Sequence, residues 1–159
     1  MKYRRLTKEQ FEALHQEFAN FLATQTIDKK EWDEIKLNKP EIAEQELDVF
    51  SDLIWEGVLN QAKHLEHFSK NHIFLFLCND TEINSFVLKS TDNSIDFLTK
   101  QGLQWLSENM FTDFVEIHIG KKNYEGERNP SIFDIIQQGA ILGDGYLYQQ
   151  IDNIVNTKK

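Results

Sequence analysis

PEIAEQELDVFSDLIWEGVLNQAKHLEHF, residues 40–68, decides how the rest of this chain is read. At about 100° per residue, Ala43, Leu47, Phe50, Ile54, Val58, Ala62 and Leu65 fall in one band, the pattern of a helix buried along one side. Ile42, Val49, Leu53 and Trp55 widen the band, leaving a narrow polar seam of Gln45, Asp48, Asp52, Glu56 and Lys63. A helix this apolar is expected to be covered on most sides and to act as a spine. Asp48, Asp52 and Glu56 repeat every four residues, so their carboxylates line the seam. Paired carboxylates can share protons or hold a cation, but a solvated face accounts for these more simply.

Upstream of the spine the chain announces two further helices. In LTKEQF, Thr7 can cap a helix with Gln10 reaching back, while Leu6 and Phe11 sit where the two halves of a hydrophobic staple belong. The inward face of that helix is Phe11, Leu14, Phe18, Phe21 and Leu22. The device recurs in IDKKEW, with Asp28 as cap, Glu31 closing the box and Ile27 against Trp32, and predicts a shorter helix to about Leu37. Pro40 breaks the chain before it and opens the spine. Short connections of this kind predict a helical subassembly, its first helix antiparallel to the spine.

Downstream the period changes. Ile73 to Cys78 is a continuous apolar run, the mark of a strand covered on both faces. Asn79-Asp80 supplies a turn, and Ile83 to Lys89 returns as a hairpin partner. A helix over Thr99 to Met110 is expected to bury Leu103, Leu106 and Met110. Phe114 to Ile119 alternates, with Val115, Ile117 and Ile119 on one side and Phe114, Glu116 and His118 on the other, as in a half-exposed edge strand. The polar run GKKNYEGERN, residues 120–129, predicts a long exposed loop. Asn129-Pro130 opens a helix burying Ile132, Ile135, Ile136 and Ala140; Gly143-Asp144-Gly145 stops it, and a last helix presents Leu147, Ile151, Ile154 and Val155.

These elements predict a single α+β domain over residues 1–159: a helical subassembly (1–68), a sheet with a crossover helix (72–120) and C-terminal helices (130–156). The sheet is expected to be small, three-stranded and mostly antiparallel. Its wholly apolar strand lies in the middle, a right-handed split β-α-β crossover covers one face, and the long central helix packs on the other.

Composition narrows the function. The chain has 159 residues, 40% hydrophobic, with 12 phenylalanines, enough to bury a core. Against 17 basic residues stand 26 acidic ones, a formal net charge of −9. Duplex nucleic acid would be repelled, since the basic residues gather only at Lys2-Arg4-Arg5, Lys29-Lys30, Lys121-Lys122 and Lys158-Lys159. Cys78 is the one cysteine and lies in an apolar strand, which excludes an intrachain disulfide and suits a reducing cytoplasm. The opening MKYRRLTKEQF has no apolar signal core, and no window approaches the roughly 18 apolar residues of a membrane span. The expectation is a soluble, cytoplasmic protein without nucleic-acid or membrane partners.

Few residues suggest chemistry. His64 and His67, at i, i+3 on the presumed helix, could put two imidazoles on one metal but lack a third ligand. Glu116 and His118 project from one face of a strand and could do acid–base work if a pocket formed beside residues 114–119, in a small-ligand-binding protein or a hydrolase-like enzyme. Gly139 to Gly145 resembles a phosphate loop only superficially, because it follows a helix. No nucleophile elbow, P-loop or zinc signature is present, no cofactor is implied, and the balance leans away from an enzyme. Surface recognition has better candidates. Trp105, beside Leu98 and Gly102, falls opposite the Leu103, Leu106 and Met110 face, so that either a second layer covers this side or Trp105 is an exposed anchor. The run carrying Lys121, Lys122, Tyr124 and Arg128 combines charge, an aromatic and backbone freedom.

KYRRLTKEQFEALHQEFANFLATQTIDKKEW, ELDVFSDLIWEGVL and IQQGA resemble an uncharacterised family of small bacterial proteins, a domain of unknown function, over nearly the whole chain. That resemblance implies a single-domain cytoplasmic protein and transfers no catalytic motif. The leading expectation is a non-catalytic module that binds another protein, or itself as a homodimer.

Overall fold

A computed structural model describes residues 1–157; the Lys158-Lys159 pair lies outside the described residues. Helices α1 (Lys8–Ala13), α2 (His15–Ala23), α3 (Lys29–Asn38) and α4 (Pro40–Gln61) precede a sheet of β1 (His64–Phe68), β2 (His72–Cys78), β3 (Glu82–Ser90), β4 (Val115–Asn123) and β5 (Ile141–Gly143). Helix α5 (Lys100–Asn109) lies in sequence between β3 and β4, α6 (Arg128–Gln137) between β4 and β5, and α7 (Tyr146–Thr157) follows β5. Two compact units result, residues 1–60 and the chain from Gln61 onward.

In the first unit the cap at Thr7 forms as expected. Its hydroxyl accepts from Gln10 N at 3.2 Å and the Gln10 side chain accepts from Thr7 N at 2.8 Å. Asp28 caps α3 through Glu31 N at 2.8 Å. The predicted first helix is two, because Leu14 takes φ −106°, ψ 23° and interrupts it. Both pieces, with α3 and α4, close on aromatic rings. Phe18 lies 4.9 Å from Phe50 and 5.2 Å from Trp32 between ring centroids, and Phe50 lies 5.4 Å from Phe21.

The carboxylate seam of α4 is not a solvated face. The extended segment before α1 runs along it: the backbone amides of Lys2 and Tyr3 donate to Asp52 at 2.7 and 2.9 Å, and the Tyr3 hydroxyl donates to Glu56 at 2.7 Å. Arg5 Nε donates to Asp48 at 2.8 Å, and the same guanidinium also meets Glu44. Burial, with Glu56 beside it, pushes the Tyr3 hydroxyl up to about 12. Leu6 N donates to the buried Ser51 hydroxyl, which donates in turn to Leu47 O. The apolar band of α4 is narrower than its composition implies: Ala43, Phe50 and Leu59 are buried, whereas Ile42, Val49, Leu53 and Val58 are exposed.

In the second unit the sheet has five strands, in the order β4-β3-β2-β1-β5, all antiparallel, instead of the three expected. One addition comes from the end of the spine. After Gln61 the chain leaves the helix, and His64 to Phe68 pairs with β2, Leu65 opposite Phe76. The other, β5, stands where the sequence suggested a cap and turn, with Leu142 opposite Leu65. The split β-α-β crossover does not form. Because β1 and β3 occupy both sides of β2, β4 cannot pair with β2 and joins the outer side of β3, from Glu82 opposite Asn123 to Ser90 opposite Val115. The wholly apolar β2 is still the middle strand.

One face of this sheet carries Ile73, Leu75, Phe86, Leu88 and Val115, packed with Phe97, Leu106, Met110, Tyr148 and Ile151 from α5, α7 and the flanking turns. Gly102 lets α5 approach: a Cβ there would stand 1.8 Å from the carbonyl oxygen of Asp96. The predicted 120–129 loop is mostly regular structure, since β4 continues to Asn123 and α6 starts at Arg128.

Candidate functional site

Strand β4 is one border of the sheet, and its nine residues have no strand partner on the outer side among the described residues. The opposite border, β5, is three residues long. A short edge offers little to pair with, whereas a long one presents a row of free amides and carbonyls. On the α5 and α7 side of β4, Val115 is buried, Ile117 half-buried and Ile119 66% exposed, although Ile119 stands directly opposite the buried Phe86. An open apolar groove of about 350 Å³ adjoins these residues, lined by Met110, Phe111, Thr112, Val115, Ile117, Ile154 and Val155. The other side of the strand carries Glu116, His118, Gly120 and Lys122.

The side chains singled out as partner-binding are distributed differently from the expectation. Trp105 is half-buried and packs on the sheet core, so it is not an anchor opposite the buried face. Close packing of Gly102 turns α5 so that Leu103 is the exposed residue. Leu98 stays exposed on the turn before α5. Lys121 reaches Glu82 at 3.4 Å and Lys122 reaches Glu125 at 3.5 Å, both at the surface. Tyr124 and Arg128 point inward. The Tyr124 hydroxyl donates to Asn79 O at 2.9 Å, and burial pushes it up to about 12. Arg128 donates to Asn79 O at 3.1 Å, Ala62 O at 2.6 Å and Cys78 O at 3.4 Å, tying the start of the sheet to the end of β2. Sequence gave no sign of this clamp, because its acceptors are backbone atoms.

The chemical candidates separate in the same way. Glu116 and His118 meet at 3.4 Å, but on the open sheet surface, with side chains 50% and 65% exposed. Such exposure leaves the pair in open solvent, without the enclosed pocket that acid–base work on a bound substrate needs. His64 and His67 lie on a strand, not a helix. Three residues apart, they point to opposite faces and cannot share an ion. His67 packs near Phe74, and His64 near Tyr148 at 5.4 Å between ring centroids. Among the described residues no group of three or more side chains is placed to hold a metal.

A polar cluster that sequence reading missed lies under the start of α7. His64 Nδ1 and Asn84 Oδ1 are buried without a hydrogen-bond partner among the described residues. Gly145 leaves no room for a Cβ against the His64 ring. Burial of Glu66, with Asp144 nearby, raises its carboxyl above the usual range. A carboxyl whose folded value is raised is penalised when ionised, so the penalty is present above that value and disappears as pH falls below the ordinary glutamate range. Glu66→Gln is therefore expected to raise the thermal midpoint at pH 7, with the advantage shrinking toward pH 4; melting curves across that range check it.

No helix among the described residues is long and apolar enough to cross a membrane. Neither curated proteins nor solved structures gave a match. One family does match, across residues 1–156 and thus both units, and the chain belongs to it: the family of unknown function DUF6495.

Proposed function

We propose that this protein works by binding another polypeptide, which adds an extended strand to the free edge of β4. The observation that carries the reading is a nine-residue border strand, open on its outer side, whose central Ile119 is two-thirds exposed. Strand addition draws its affinity from main-chain hydrogen bonds and its selectivity from alternate side chains. Here those side chains are Ile117, Ile119 and Lys121 on one face and Glu116, His118 and Lys122 on the other. The acidic chain, rich in aromatics and without a recognisable catalytic motif, agrees with a binding role.

A photo-crosslinking amino acid at position 119, compared with one at the exposed Gln149 on α7, tests this in living cells. A discrete polypeptide adduct at 119 that is absent at 149, and abolished in the same chain by Lys121→Pro, at a position whose amide is directed away from β3, is the expected result. Position 119 behaving like 149 would refute it.

A further inference from the structure

We propose that the strand added to β4 is β4 of a second copy of this chain, paired antiparallel about a two-fold axis through Ile119. This deepens the reading above and rests on it. A two-fold axis normal to a sheet makes a continuous antiparallel sheet from two identical edges and keeps each face on its own side. Directly opposite residues must then share a face, so the axis passes through a residue position. The sequence Val-Glu-Ile-His-Ile-Gly-Lys-Lys-Asn, residues 115–123, singles out one such position.

Centred on Ile119, all nine residues overlap. Glu116 falls opposite Lys122 of the second copy, and by symmetry Lys122 opposite Glu116, giving two cross-strand ion pairs. His118 falls opposite Gly120, beside which the Ser85 hydroxyl stands. The two Ile119 side chains meet on the axis, so that the most exposed apolar residue of the strand covers its own copy. Moving the axis to position 118 or 120 loses both ion pairs, setting Glu116 against Gly120 or His118 against Lys122. Charges on an edge strand ordinarily deter pairing. Here the negative charge lies near one end and the positive charges near the other, an asymmetry that antiparallel self-pairing converts into attraction. The present contacts of Glu116 with His118 and of Lys122 with Glu125 are both solvent-exposed and so are readily exchanged.

Sedimentation equilibrium of the full chain tests the proposal. The wild type is expected to be a monomer–dimer system. Glu116→Lys and Lys122→Glu are each expected to weaken the dimer about tenfold, since each sets two like-charged pairs face to face. An equimolar mixture of the two variants is expected to regain wild-type affinity as a heterodimer, because each Lys introduced at 116 then faces a Glu introduced at 122. Unchanged circular dichroism spectra would show that the variants fold. A dimer indifferent to both changes, or a mixture no tighter than its components, overturns the register. A wild type that stays monomeric while position 119 crosslinks to a foreign polypeptide overturns self-pairing and leaves strand addition standing. A monomer without crosslinks overturns both.

Discussion

Phe50→Ala is expected to cost about 4 kcal/mol of folding stability, the middle of the range for removing a buried aromatic ring. Phe50 is 3% exposed and its ring lies within 6.0 Å of those of Phe11, Phe18 and Phe21 between centroids. The substitution removes the ring on which these others converge, so it forfeits both the buried apolar area and the ring–ring geometry. The surrounding rings come from α1 and α2 and Phe50 itself from α4, so its side chain cannot be lost without leaving a void between three elements. Phe50→Leu, which keeps most of the volume, is expected to cost about 1.5 kcal/mol. Urea unfolding followed by near-ultraviolet circular dichroism measures both.

Arg128→Ala is the second large effect, expected at about 3 kcal/mol. The guanidinium donates to the carbonyls of Ala62, Cys78 and Asn79 and to the Asn129 side chain at 2.7 Å. Alanine leaves these acceptors without the fork that joins them. Arg128→Lys is expected to recover less than half, because a single ammonium on a flexible stem cannot reproduce a planar fork. A second readout separates this clamp from general instability. Cys78 is buried, and burial pushes its thiol up to about 11. Its modification by a disulfide reagent at pH 7.5 is expected to be slow in the native protein and to accelerate in Arg128→Ala under conditions where the chain is still folded. Equal modification rates would show that the end of β2 does not depend on the clamp.

Periodicity revealed the elements whose burial is one-sided and long. The caps at Thr7 and Asp28, the apolar β2, its partner β3 and the alternation at the start of β4 were all readable because each pattern spans several residues of a single element. The end of the spine was not. Ala62 and Leu65 continue the helical band of α4, and the alternating His64-Leu65-Glu66 is too short to compete with it until β2 is available as a partner. Strand β5, at three residues, has no period at all and exists through pairing with β1. The carboxylate seam was visible as a pattern, but its meaning depended on an extended N-terminal segment with no periodicity of its own.

The candidate site shows the same division. Glu116, His118, Lys121 and Lys122 were recognisable as unusual, the first pair for acid–base chemistry and the second for a loop. Their common membership in one open strand becomes evident only when β3 takes β4 as its neighbour, because register is a property of two strands. Tyr124 and Arg128 looked like surface recognition residues because their neighbours are polar, yet backbone carbonyls draw them inward.

Residue-resolved amide hydrogen exchange across a protein dilution series tests most directly whether the edge of β4 is completed by a second copy. The account predicts that the outward amides of β4 are protected at high concentration and lose that protection on dilution, while those of β2 do not change. Exchange of the β4 amides that is independent of protein concentration would contradict it.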